Sequence, residues 1–105
     1  MSPFRGTDDA GRVAEPLGPE NLRELLQQAP SSVLVESASW GPDDFAQARR
    51  EDAERWRLEV RSGGPQRHVV GHAPNTDATF DMIRSWCAAD GWWQDAFAWE
   101  PLDPC

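Results

Sequence analysis

The chain has 105 residues, 39% of them hydrophobic and 27% charged, and a formal net charge of −8. This length suits one domain, and this composition is typical of a folded chain rather than a disordered one. The acidic balance argues against nucleic acid or an anionic membrane as the partner of the whole surface, but it suits a basic protein partner. Solubility alone is the simpler explanation of the charge.

The N-terminal residues 1–16 hold few large apolar side chains and several Gly, Pro and Asp. This composition predicts a flexible leader, followed by a single α+β domain over residues 17–105. No apolar stretch follows basic residues near the N-terminus, as a signal peptide would require. No apolar run approaches the roughly 20 residues that cross a bilayer. We therefore expect a cytoplasmic protein that does not use a membrane.

A first helix is predicted from Pro19, which suits the first helical position because its missing N–H would have no partner there. Apolar residues then recur at helical spacing: Leu22, Leu25, Leu26 and Ala29. Pro30 ends this pattern. The apolar run at 33–35 that follows predicts a short, largely buried strand.

The stretch 45–61 allows two interpretations. Trp56, Leu58 and Val60 alternate with charged residues, which is the period of a strand with one solvated face. Residues 45–49 would then be its hairpin partner, and we favour this arrangement. The alternative is a helix over 43–54 that leads into a single strand, because Ala, Gln, Arg and Glu favour helix.

Turn residues at 63–65 predict a further strand over 67–72. A second helix follows, with Asn75 or Thr76 as its N-cap and Gly91 just beyond its end. The Trp-rich residues that come next predict either a short helical turn or a return strand. The fold expected is α+β: a meandering antiparallel sheet of about four strands packed against two helices on one face, with an aromatic C-terminal tail.

No pattern in the sequence predicts a metal, a cofactor or a catalytic set. His68 and His72 lie four residues apart on a predicted strand, where they would sit roughly 13 Å from one another, too far to share a metal. Cys87 falls among apolar positions of the second helix, which indicates a buried and unreactive thiol. Because no nucleophile–base pair is recognisable, we expect a protein without enzymatic activity.

Two surface features remain as binding candidates. The first is an acidic, aromatic patch near the C-terminus, where the adjacent Trp92 and Trp93 cannot easily both point inward. Its members are Asp90, Trp92, Trp93, Asp95, Trp99 and Glu100. The second is a basic face of Arg55, Arg57 and Arg61, a residue type that suits carboxylates or phosphates. The simpler interpretation of this face is a solvated sheet surface paired with neighbouring glutamates.

The order of residue types from Ser32 to Leu102 resembles small acidic α+β proteins of actinobacteria. The resemblance rests on these segments: Val33-Leu34-Val35, Phe45-Ala46-Gln47, Trp56-Arg57-Leu58-Glu59-Val60-Arg61, Arg67-His68, Trp86, Trp92-Trp93 and Trp99-Glu100. Some such proteins are immunity proteins or partners that are similar to secretion chaperones, so the resemblance implies a binding role. It implies no functional residue, because no diagnostic motif is shared.

We therefore expect a non-catalytic module of the immunity, antitoxin or chaperone kind, which binds a basic protein through the acidic, aromatic patch. The alternative is a sensor that binds an acidic small molecule or peptide between the sheet and the Trp-rich tail. A homodimer formed through an edge strand or the same patch is a further option.

Overall fold

The computed structural model of the chain describes residues 3–37, 39–40, 44–62 and 68–101. The helices are α1 (Pro19–Gln28), α2 (Thr76–Ala88) and α3 (Trp92–Ala96). The strands are β1 (Phe4–Asp8), β2 (Val13–Ala14), β3 (Ser32–Ser37), β4 (Phe45–Arg50), β5 (Trp56–Arg61), β6 (His68–Ala73) and β7 (Glu100–Pro101). They form one antiparallel sheet in the order β2-β1-β3-β4-β5-β6-β7.

The expected α+β class is confirmed, but the described part of the chain has more elements than the sequence predicted. It holds seven strands and three helices, where about four strands and two helices were expected. From β3 to β7 the sheet is a meander, as predicted. The turn expected at 63–65 lies outside the described residues.

Helices α1 and α2 both cross the same face of the sheet, here called the covered face. Helix α1 packs close over β1, since a Cβ added at Gly6 would lie 2.9 Å from Leu25. At the start of α2, the Trp56 Nε1 donates a hydrogen bond of 3.1 Å to the Thr76 Oγ1. The opposite side of the sheet is called the open face.

The burial of the strands follows from this one-sided packing. In β5, Trp56, Leu58 and Val60 point to the covered face and are fully buried, whereas the residues between them are only half-buried. Side chains alternate between faces along a strand, so the charged residues of β5 are placed on the open face. Arg50 closes one end of the core, because it lies 4.3 Å over the Trp56 ring and donates to a carbonyl oxygen of α1.

The prediction of a flexible leader is wrong for the N-terminal residues that the structure describes. Strand β1 pairs with β3 along its whole length, and Phe4 is buried. Asp8 accepts hydrogen bonds from the backbone of Ala10 and Arg12, which shapes the turn into β2. The small residue Gly6 suggested flexibility in the sequence, yet it allows the close approach of α1. The absence of a side chain at Gly6 therefore marks a close contact with α1 rather than a mobile segment.

The hairpin interpretation of 45–61 is confirmed, and the alternative helix over 43–54 is wrong for its described residues. Strands β4 and β5 pair from Phe45↔Arg61 to Arg50↔Trp56. In the turn between them, Asp52 accepts hydrogen bonds from the backbone N–H groups of Glu54 and Arg55. An Asp that binds the backbone two and three residues further on favours a turn over a helix at that point.

The second helix begins as predicted but ends differently. Asn75 is the N-cap, and its side chain accepts a hydrogen bond of 2.8 Å from the Ala78 N–H. The left-handed residue at the end of α2 is Ala89, with φ of 55°. Gly91, with φ of 81°, instead turns the chain into α3. Both options for the tail are realised, since α3 is followed by the short return strand β7.

Asp9 provides an acid-sensitive link between the β1–β2 turn and β3. Hydrogen bonds from the Ser31 hydroxyl, and from the backbone N–H groups of Ser32 and Ser31, lower the pKa of Asp9 from 3.8 to about 2. A carboxyl whose pKa is lower in the folded state stabilises folding above its unfolded pKa, and this contribution is lost as the pH falls.

We therefore expect Asp9→Asn to be less stable than the wild type at pH 7, with a difference that shrinks as the pH falls from about 4 toward 2. Urea unfolding at a series of pH values measures this. Glu54→Gln, at an exposed turn position, is the control and should show no comparable loss at pH 7. A difference between Asp9→Asn and wild type that stays constant across this range would contradict the prediction.

Candidate functional site

The two adjacent indoles of the tail point in different directions, as expected. Trp92 is 49% exposed, whereas Trp93 is only 9% exposed and belongs to the core. Gly91 makes this possible, because its φ of 81° turns the chain sharply at the start of α3. Of the two, only Trp92 is available to another molecule.

Trp99 is a structural residue rather than a free anchor. Its Nε1 donates a hydrogen bond of 2.8 Å to the Trp93 carbonyl oxygen, and the two rings meet edge to face at 5.3 Å between centroids. The ring lies directly on β6, because a Cβ added at Gly71 would be 3.0 Å from it. The aromatic tail therefore closes the core beside α2.

Asp90 is held at the corner between α2 and α3. Its carboxylate accepts hydrogen bonds from the Ser85 hydroxyl and, at 2.9 Å, from the Trp92 backbone N–H. The Ser85 hydroxyl oxygen in turn accepts a bond of 2.9 Å from the Trp93 N–H. The Ser85 bond, followed by the Trp92 bond, lowers the pKa of Asp90 below its ordinary value. Asp90 is thus a fixed negative charge beside the exposed Trp92.

Trp92 and its charged neighbours form a surface that we call the acidic corner. It consists of Asp81, Asp90 and Trp92, together with Asp95, which follows Trp92 by three residues in α3 and so neighbours it on that helix. The first three of these line a cavity of about 270 Å³. Arg84 also lines this cavity, and its guanidinium carbon lies 5.6 Å from the centre of the Phe80 ring.

A second exposed indole, which the sequence reasoning missed, lies on the other side of Asp90. Trp40 is 39% exposed and packs edge to face on Phe4 and Trp86. It lines a cavity of about 350 Å³ that shares Asp90 with the first. The available signal was the sequence Gly41-Pro42-Asp43 directly after Trp40, because these residue types favour turns, and connecting segments usually lie at the surface.

The structure keeps only part of the predicted acidic, aromatic patch together. Asp90, Trp92 and Asp95 lie in the acidic corner, while the two other tryptophans pack inside or against the core. Glu100 is separated from them, because it pairs with Val70 in the sheet register. Residues directly opposite each other point to the same face, so Glu100 belongs to the open face.

The predicted basic face is also only partly formed. Arg55 lies at the end of the β4–β5 turn and pairs with Asp52 at 3.4 Å. Arg61 lies on the open face, but its Nε donates a hydrogen bond of 3.2 Å to the Nδ1 of His68. The side chain of the remaining member, Arg57, has no such partner among the residues that the structure describes.

His68 links Arg61 to a carboxylate. Because the Arg61 Nε is always a donor, the Nδ1 of His68 must accept, which leaves the proton on Nε2. That nitrogen then donates to the Glu59 Oε1 at 3.0 Å. The result is a series of hydrogen bonds from the Arg61 cation through the neutral His68 imidazole to the Glu59 carboxylate. The His68 and Glu59 side chains are nearly buried. It connects three residues of the β5–β6 hairpin and satisfies their polar groups mutually.

The described residues show no arrangement that supports catalysis by a metal or a thiolate. Within these residues, no three His, Cys, Asp or Glu side chains come together to hold a metal ion. Burial raises the pKa of the Cys87 thiol to about 12, so it stays protonated at neutral pH. Cys87 lines an apolar cavity of about 300 Å³ between α1 and α2. Among the described helices, none combines the length and apolar character of a membrane span.

The comparisons with known proteins identify no relative. No family model matches the chain, and no curated protein or solved structure is significantly similar to it. The function must therefore be argued from the residues and their geometry.

The contact between Trp99 and β6 yields a prediction about stability. Gly71→Ala should destabilise the fold by about 1–3 kcal/mol, because the new methyl group meets a ring that is fixed by a hydrogen bond. Chemical denaturation measures the change. In a Trp99→Leu background the same substitution should cost clearly less. Equal costs in both backgrounds would show that the indole is not the obstacle.

A second prediction concerns the Cys87 thiol. In a Cys105→Ser variant, Ellman's reagent at pH 8 should react with the folded protein roughly a thousandfold more slowly than with the urea-unfolded protein, because so little thiolate is present. The rise in absorbance over time measures the reaction rate of the folded protein and of the unfolded protein. Similar rates in the two states would mean that Cys87 is ionised or freely accessible in the fold.

Proposed function

We propose that this chain is a non-catalytic protein-binding module, and that its acidic corner binds a basic segment of another protein. The observation that carries the proposal is a half-exposed Trp92 in the same cavity as Asp90, a carboxylate kept ionised by its hydrogen bonds. An indole beside carboxylates matches the chemistry of an arginine or lysine side chain.

The charge around the corner supports a basic partner. Residues 76–96, which include α2 and α3, carry four aspartates and one arginine. One of the aspartates, Asp77, is paired with Arg23 of α1 at 2.9 Å. The aspartates of the acidic corner are exposed. Such a negative surface speeds the encounter with a basic protein and suppresses acidic partners.

The rigid attachment of the corner also supports a binding role. Ser85 and Asp90 fix the start of α3, and Trp99 ties the segment after α3 back to it by donating to the Trp93 carbonyl oxygen. The Trp92 ring further meets Phe97 edge to face, with 6.1 Å between centroids. A side chain that is already positioned loses less entropy on binding, so more of its contact energy contributes to affinity.

A small acidic binding module of this kind suits the immunity, antitoxin or chaperone class, acting in the cytoplasm. The alternative of a ligand held between the sheet and the tail has less support. Trp99 packs directly on Gly71, so this space is filled unless the indole moves.

The proposal is tested with a synthetic peptide of four arginines separated by glycines, and with its glutamate analogue. In protein labelled with 5-fluorotryptophan, the arginine peptide should shift the ¹⁹F signal of Trp92, which Trp92→Phe identifies. The signal of the fully buried Trp56 should not move. The glutamate peptide should shift neither signal.

Affinity for the labelled arginine peptide, measured by fluorescence anisotropy, should fall roughly tenfold in Trp92→Ala. It should also weaken in Asp81→Asn and as salt is raised. Val13→Ala is the matched control, since Val13 is an exposed apolar residue on the distant edge strand β2. Equal losses in the two alanine variants, or equal binding of both peptides, would refute the proposal.

A further inference from the structure

We propose that Arg49 and Arg57, on the open face, form a binding site for a discrete oxyanion, either a carboxylate or a phosphate. This site lies away from the acidic corner and does not depend on the function proposed for it. It combines Arg57, a member of the predicted basic face, with Arg49, an arginine that the sequence places near that face.

The register of the sheet brings the two arginines side by side. Arg49 of β4 is directly opposite Arg57 of β5. The same row continues to Ser32 on one side and to His72 on the other. Side chains directly opposite on antiparallel strands lie about 4.5–5.5 Å apart at Cβ. One oxyanion can therefore contact both guanidinium groups.

Three acidic residues of the β4–β5 hairpin are already engaged by other bases. Glu51 bonds to His72 at 2.8 Å, Asp52 pairs with Arg55 at 3.4 Å, and Glu59 bonds to His68 at 3.0 Å. Three other arginines of the β4–β5 hairpin also have partners.

Arg50 lies over Trp56 and donates to backbone carbonyls, Arg55 has its aspartate, and Arg61 has His68. Within the described part of the chain, the side chains of Arg49 and Arg57 make no hydrogen bond and no ion pair.

Arg57 carries the more unusual feature, because its Nε is buried and finds no hydrogen-bond partner in residues 3–37, 39–40, 44–62 and 68–101. Buried polar groups in proteins nearly always have a partner, and a buried donor on a charged group is costly to leave unpaired. Like charges directly opposite on a sheet are also unfavourable. A bound oxyanion would remove both penalties, since it accepts from the guanidinium nitrogens and neutralises the repulsion.

The ligand expected is small or presents a single acid group. Arginine pairs bind carboxylates and phosphates in a planar, two-point geometry that lysine does not provide. The net charge of −8 repels an extended polyanion such as nucleic acid. A ligand with a single carboxylate or phosphate group is repelled much less by this net charge, so it can reach the two arginines.

The proposal is tested on the full chain by thermal unfolding in sodium phosphate, in sodium succinate and in sodium chloride, all at matched ionic strength. At about ten times its Kd, the bound anion should raise the Tm by about 5 °C over chloride. A larger rise in phosphate than in succinate identifies a phosphate site, and the reverse identifies a carboxylate site. Equal Tm values in the three salts would overturn the proposal.

Variants locate the effect. Arg57→Gln and Arg49→Gln should each abolish the anion-dependent rise, and Arg57→Lys should reduce it although the charge is kept. Arg55→Gln is the matched control and should retain the full rise, because Arg55 already pairs with Asp52. An equal loss in Arg55→Gln would show general charge screening instead of a site. Trp92→Ala should leave the rise intact, which separates this result from the test of the acidic corner.

Discussion

The placement of α1 and α2 on a single face of the sheet determines most other properties of the molecule. The strand side chains on that face must fill the core, and they include the fully buried Trp56, Leu58 and Val60. Because side chains alternate along a strand, the residues between these are sent to the open face, where charge is tolerated. The row that holds Arg49 and Arg57 exists for this reason. One-sided packing thus gives the protein two chemically different surfaces.

The acidic corner depends on two small residues in a similar way. Gly91 adopts a positive φ that sends Trp93 into the core and leaves Trp92 at the surface. Gly71 makes room for Trp99, which holds the end of the tail. Without either of them, α3 would not present Trp92 beside Asp90. The exposed indole is therefore a product of how tightly its neighbours are packed.

The helices and the central hairpin could be predicted because their signals are local. The apolar stripe of α1, the Asn75 cap of α2 and the alternation in β5 each specify an element within a few residues. The N-terminal strands could not be predicted from the same signals. Their small Gly6 and the bonds of Asp9 become meaningful only against α1 and β3, which come later in the chain.

The sequence by itself determined that the C-terminal third is acidic and rich in Trp, and that adjacent indoles cannot share one environment. Only the tertiary structure decided which indole is exposed, placed Glu100 on the other face beside Val70, and set Arg49 opposite Arg57. The physical reason is register. Composition and spacing along the chain do not record which residues of two strands stand opposite one another, and a one-residue shift would exchange the two faces.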